Sequence, residues 1–131
     1  MVIAIDGPAG TGKSTVASII AKKLNITNLN SGSFYRALTL AMLESGIDLS
    51  DSEKVLEFCK KQKLDYVNAR MILNGIDVEN RLHEDKVSAV VAQVSAIVEI
   101  RHLVNARLRE ITKNLDIVCE GRDMTTVVFP N

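Results

Sequence analysis

The amino-acid sequence predicts an α/β domain with a parallel sheet at its centre, and two observations predict it. Strand-like and helix-like segments alternate from the N-terminus in the order β-loop-α-β-α, the pattern of parallel strands joined by helices. The first strand-like run, Val2-Ile3-Ala4-Ile5, is apolar at consecutive positions, as in a strand buried on both faces. Composition agrees with both. The chain has 131 residues, enough for one domain; 47% are hydrophobic and only 4% aromatic, so the core is aliphatic and the chain is not disordered.

The elements follow in order. Asp6-Gly7-Pro8 ends the first strand, and a glycine-rich loop leads to a helix from Lys13 with Val16, Ile19, Ile20 and Leu24 at helical spacing. Asn25 is suited to cap its C-terminus. Residues 26–30 read as a second strand. Ser31 opens a helix bearing Phe34, Leu38, Ala41 and Met42, which Gly46 stops. Ser50 and Glu53 have capping-box spacing ahead of a helix with Val55, Leu56, Phe58 and Cys59; the run Lys60-Lys61-Gln62-Lys63 after it reads as a solvated face. Between 63 and 80, short β-like pieces separated by turn residues predict a small antiparallel sheet, with Asn74-Gly75 as a hairpin turn. Two helices are expected over 84–95 and 97–114, the second with Ile97, Ile100, Val104, Leu108 and Ile111 on one face. Ile117-Val118-Cys119 reads as a third strand of the main sheet.

Several function classes are disfavoured. Sixteen basic residues balance sixteen acidic ones, which argues against a protein held to nucleic acid by phosphate neutralisation. No apolar run approaches the roughly 20 residues of a membrane span, and the N-terminus lacks a signal-peptide pattern. Cys59 and Cys119 lack metal-ligand spacing and read as buried thiols in a cytoplasmic protein. His83 and His102 read as surface positions.

Gly7-Pro8-Ala9-Gly10-Thr11-Gly12-Lys13-Ser14 matches G-x-x-x-x-G-K-[ST], the phosphate-binding P-loop. The glycines permit a tight turn whose backbone N–H groups face phosphate oxygens, and the loop feeds a helix N-terminus that favours anions. Lys13 can reach the β- and γ-phosphates. The Ser14 hydroxyl can bind Mg²⁺, and Thr15 shares that first turn. A strand before the loop and a helix after it supply the required context, so the pattern points to ATP or GTP with Mg²⁺. What happens to the γ-phosphate is left open by the motif.

Arg36 and Arg122 each follow a predicted strand, which puts both at the C-terminal edge of the sheet, where α/β ligands bind. Arg101 borders the apolar stripe of the last helix, either snorkelling at a rim or facing a cleft, and the helical wheel does not separate it from Arg107.

Three segments then carry a resemblance: residues 5–15 around the P-loop; Asn30-Ser31-Gly32-Ser33-Phe34-Tyr35-Arg36; and Glu120-Gly121-Arg122-Asp123-Met124-Thr125-Thr126-Val127-Val128-Phe129-Pro130. In order and spacing, with the hairpin insertion between them, they resemble the bacterial cytidylate kinases over essentially the whole chain. The resemblance implies a P-loop NTPase-type, three-layer α/β fold with a small antiparallel insertion that binds the nucleoside monophosphate. It also implies one domain, with its core in 1–62 and 115–131 and the insertion and following helices in 63–114. The implied activity is transfer of the ATP γ-phosphoryl group to CMP or dCMP, with Mg²⁺. Gly7, Pro8, Ala9, Gly10, Thr11, Gly12, Lys13, Ser14 and Thr15 would bind ATP, with Ser14 on the metal and Lys13 and Arg122 catalytic. By the same resemblance Arg36 and Arg122 would hold the acceptor phosphate, Arg101 and Asp123 would contact cytosine, and Ser31 and Tyr35 would belong to the acceptor pocket. Such arginines suit a phosphate dianion, because the guanidinium fork binds two oxygens at once.

The sequence departs from the family pattern at Ala92, Val98 and Thr125, where a Ser, a Pro and a Gly are usual. The family also continues past the position of Asn131 into further core strands and an arginine-rich lid, so the fold is expected to be incomplete at its C-terminus. Two alternatives stand beside the kinase: a nucleotide-binding remnant without turnover, and a P-loop kinase for another small acceptor. The expected partners are small molecules only, in a cytoplasmic monomer.

Overall fold

The structure, a computed structural model, describes residues 2–6, 13–113 and 117–121. The chain divides into two compact units, one formed by residues 1–32 and 105–131, the other by 33–104.

The first unit holds the parallel sheet. Strand β1 (Val2–Asp6) is followed by helix α1 (Lys13–Leu24) and strand β2 (Thr27–Asn30), and strand β6 (Ile117–Gly121) returns to lie between them, giving the order β1-β6-β2. Both pairings are parallel, with Val2 and Thr27 each opposite Ile117. Parallel strands joined through helices are buried on both faces, and Ile117, Val118, Cys119 and Leu29 are buried. Ala17 and Ala21 of α1 form a core cluster with Val118, against which Ile3, Ile5, Ile20 and Ile26 pack. The two alanines present the short side of α1, which lets the helix approach the sheet closely. As its sequence predicts, α1 ends at Asn25, whose φ of 54° is left-handed; the Ile26 N–H then donates to the Ala21 carbonyl at 3.0 Å, a Schellman-type closure.

The second unit begins in helix α2 (Gly32–Ser45), which buries Phe34, Leu38 and Met42 as its spacing predicts. Gly46 ends it at φ 72°, with its N–H on the Met42 carbonyl. Helix α3 (Ser52–Lys60) corrects the expected capping box. Its N-cap is Asp51, whose carboxylate accepts from the Lys54 N–H at 3.2 Å. Ser50 is already engaged, because both its N–H and its hydroxyl donate to Asp48 Oδ1, at 2.9 and 2.7 Å. These bonds hold the Asp48 carboxyl below its ordinary value, the hydroxyl contributing most.

The antiparallel sheet is present, in the order β3-β4-β5, from β3 (Leu64–Val67), β4 (Arg70–Leu73) and β5 (Ile76–Asp77). Asn74 and Gly75 turn the second hairpin with φ of 51° and 82°, as expected for Asn-Gly. The first hairpin turns the same way at Asn68 and Ala69, φ 52° and 61°, without a glycine. Arg70 pairs with Asp77 across the second hairpin, and this bond holds the Asp77 carboxyl below its usual range.

A single helix over 84–95 is not what forms. After a 3₁₀ turn (Glu79–Arg81) come two short helices, α4 (Asp85–Ser88) and α5 (Val91–Ser95). The ladder breaks at Val90, whose φ is −118° and whose N–H bonds to Val87, three residues back. Val90 and Val91 are adjacent β-branched residues, a weak basis for a continuous helix. Helix α6 (Val98–Thr112) is slightly shorter than expected at both ends and buries Ile100, Val104 and Leu108. His83 and His102 are exposed and Cys59 and Cys119 buried, as expected. No helix among the described residues is long and apolar enough to cross a membrane.

Candidate functional site

In the first unit, the register of the parallel sheet places three chain exits at one edge. Asp6 lies opposite Gly121, and Asn30 lies opposite Glu120. The chain therefore leaves β1, β6 and β2 at the same, C-terminal edge, into the segments that begin at residues 7, 122 and 31. This is the edge at which open parallel sheets bind ligands. Of the predicted phosphate-binding residues, Gly7, Pro8, Ala9, Gly10, Thr11 and Gly12 lie outside the described residues, as do Arg122 and Asp123. Lys13, Ser14 and Thr15 form the first turn of α1. A helix start just after a parallel strand carries unpaired N–H groups and a partial positive charge, suited to an anion.

Ser31 sits between β2 and α2 and is 6% exposed, an unusual depth for a serine. What starts α2 there is Asn30 rather than the Ser31 hydroxyl: Asn30 Oδ1 accepts from the Gly32 N–H at 2.7 Å. Gly32 permits this closeness, because a Cβ at that position would lie 2.9 Å from the same oxygen. The Asn-x-Gly spacing of this Asx turn is legible in the sequence once the strand end is located.

Three other predicted acceptor residues, Tyr35, Arg36 and Arg101, lie in the second unit. Tyr35 is half-buried in the first turn of α2, and its carbonyl accepts from the Thr39 hydroxyl at 2.7 Å. Arg36, one turn into α2, is also half-buried. Its Nη1 donates to the Leu82 carbonyl at 3.0 Å and to the Ser88 hydroxyl at 2.9 Å. Arg101 is exposed on α6, next to buried Ile100. Ala92 is exposed on α5, and Val98 is the first residue of α6 and exposed. The structure thus joins Arg36 to Ser88 and Leu82, two contacts that sequence reasoning missed. Ser88 lies 52 residues from Arg36, and nothing in its local pattern points to that partner.

A P-loop α/β protein is what this sheet, its order and the Lys13-Ser14 helix start define. The family model for cytidylate kinase matches residues 3–131, and the chain belongs to the cytidylate kinase family. It is similar to the cytidylate kinase of Fusobacterium nucleatum, with 41% identity over all of this chain and 60% of that protein. The cytidylate kinase of Thermotoga maritima is 44% identical over 98% of this chain and 59% of its own length. That of Clostridioides difficile is 37% identical over the whole chain and 61% of its own. The chain therefore spans about 60% of the length of these curated relatives.

Proposed function

We propose that the chain carries the nucleotide-binding parts of a cytidylate kinase, which transfers the γ-phosphoryl group of ATP to CMP or dCMP. In that reaction a phosphate oxygen of CMP bonds to the γ-phosphorus and the bond to the β-phosphate oxygen breaks, leaving ADP and CDP. The observation that carries the reading is the shared exit edge of β1, β6 and β2, from which the three family-like segments start. Phosphoryl transfer depends mainly on alignment and charge neutralisation. A donor loop and an acceptor loop leaving one sheet edge suit that requirement.

In this proposal residues 7–15 cradle the ATP phosphates and Lys13 bridges the β- and γ-groups. Mg²⁺ enters with ATP; the hard hydroxyl oxygen of Ser14 is the type of donor it takes. Arg36 and Arg122 hold the acceptor phosphate, Ser31 and Tyr35 line its pocket, and Arg101 and Asp123 read the cytosine. Asp123 as a carboxylate accepts from the amino group of cytosine and meets only a carbonyl oxygen in uracil. The partners are small molecules in the cytoplasm.

The test combines binding and turnover on this chain. ATP and CMP are expected to bind, with CMP favoured over UMP by about tenfold or more, and Lys13→Ala is expected to weaken ATP binding and abolish any CDP formation. Equal affinity for CMP and UMP overturns the cytosine reading. Turnover unaltered in Lys13→Ala overturns the P-loop role. Binding without CDP formation assigns the chain nucleotide recognition alone.

A further inference from the structure

Arginine at a phosphate site works best when its fork is already aimed. The free side chain carries rotamer entropy, which binding must otherwise overcome. Arg36 is held by two acceptors on a single nitrogen. The Leu82 carbonyl and the Ser88 hydroxyl both accept from Nη1, at 3.0 and 2.9 Å, which uses both hydrogens of that nitrogen. The donors that remain are Nε–H and the two on Nη2. Nε–H and one Nη2–H lie parallel along one side of the guanidinium, the bidentate face that matches two oxygens of a phosphate. Neither nitrogen has a hydrogen-bond partner among the described residues.

Ser88 is placed for this by its own helix. It is the last residue of α4, exposed, with its N–H on the Glu84 carbonyl at 3.0 Å. Its side chain has no burial role that would explain it otherwise. The Leu82 carbonyl belongs to the turn that precedes α4, and Leu82 itself is buried, which anchors that acceptor.

We propose that Ser88 is a positioning residue for acceptor recognition: with the Leu82 carbonyl it saturates Nη1 of Arg36 and leaves the Nε/Nη2 face for the phosphate of the nucleoside monophosphate. The inference rests on the reading that Arg36 binds that phosphate. It adds how the guanidinium is oriented, through a residue that does not touch the nucleotide.

The experiment is a calorimetric titration of CMP into the parent chain, Ser88→Ala, Ser88→Thr, Arg36→Ala and the Ser88→Ala/Arg36→Ala double variant. ATP titrations and melting temperatures are measured alongside. Ser88→Ala is expected to weaken CMP about threefold to tenfold, the effect of one lost hydrogen bond, with ATP affinity and melting temperature unchanged. Ser88→Thr keeps the hydroxyl and is expected to restore CMP affinity. In the Arg36→Ala background, Ser88→Ala is expected to have no further effect. Weakening by Arg36→Ala but not by Ser88→Ala overturns the positioning role and leaves the role of Arg36 standing. A Ser88→Ala loss that persists without Arg36 also overturns it. CMP affinity unaltered in Arg36→Ala, or no CMP binding by the parent chain, overturns the reading beneath it and the inference with it.

Discussion

Gly32 and Asn30 form a two-residue device at the start of α2, and its strength is set by one short contact. A methyl group at position 32 would lie 2.9 Å from Asn30 Oδ1. That oxygen ends a short side chain and can swing aside, so the cost is the bond it makes to the Gly32 N–H rather than a rigid clash. Gly32→Ala is expected to destabilise the chain by about 0.5–1.5 kcal/mol in urea unfolding. Gly32→Ala and Asn30→Ala are expected to be less than additive, because they share this bond; full additivity would refute the shared mechanism. Cys119 shows the opposite use of burial. Burial in the central strand desolvates its thiol and pushes it up to about 12, from an ordinary value of 9.0. The folded chain therefore keeps a proton that the unfolded chain releases above pH 9. Stability is intact below pH 9 and falls as pH rises toward 12, by about 1.4 kcal/mol per pH unit for one proton. Cys119→Ala is expected to lose that alkaline slope in denaturation curves taken from pH 8 to 11, though Ala also leaves a small void that lowers the whole curve.

At the scale of elements, the two hairpins and the α3 cap separate what is written locally from what is not. Asn74-Gly75 and the helix stops at Asn25 and Gly46 are legible because each needs left-handed backbone, and the residue present tolerates it. The turn at Asn68-Ala69 uses the same backbone with a residue that resists it, so composition does not announce it. Ala69→Gly is expected to stabilise the chain by about 1 kcal/mol, read as a higher urea midpoint with unchanged slope. The cap of α3 was hidden for another reason. Ser50 satisfies the spacing rule, yet Asp48 holds its hydroxyl and the cap passes to Asp51. Asp51→Ala is expected to cost about 1 kcal/mol, and Ser50→Ala less, because Ser50 engages an exposed carboxylate rather than the helix. The break between α4 and α5 at Val90 shows that a helix-like stretch of sequence does not report continuity. In the candidate site, the P-loop is legible because its chemistry is contiguous in sequence, whereas the Ser88–Arg36 bond is made only by tertiary folding.

At the scale of the whole molecule, the parallel sheet orders the site, and its strand order could be anticipated only in part. Alternation of strands and helices predicts that residues 117–119 join the main sheet, but no local pattern says that they enter between the other two strands. The sheet then aligns the ends of three strands, so that segments far apart in sequence begin at one edge.

That central place of β6 has a consequence for the order in which the protein can be made. β1 and β2 leave the ribosome within the first 30 residues, yet neither pairs with the other; among the described residues, the strand each pairs with is residues 117–121. Until those emerge, a nascent chain carries two strands with unsatisfied edges, the state most open to pairing with another chain. The hairpins of β3, β4 and β5 bring near neighbours together and close early, because short loops cost little entropy. Pulse-labelled hydrogen exchange during refolding is expected to protect the amides of residues 64–77 before those of β1 and β2, and to protect β1, β2 and β6 in one step. Early protection of β1 without β6 would show that another strand can stand in for it.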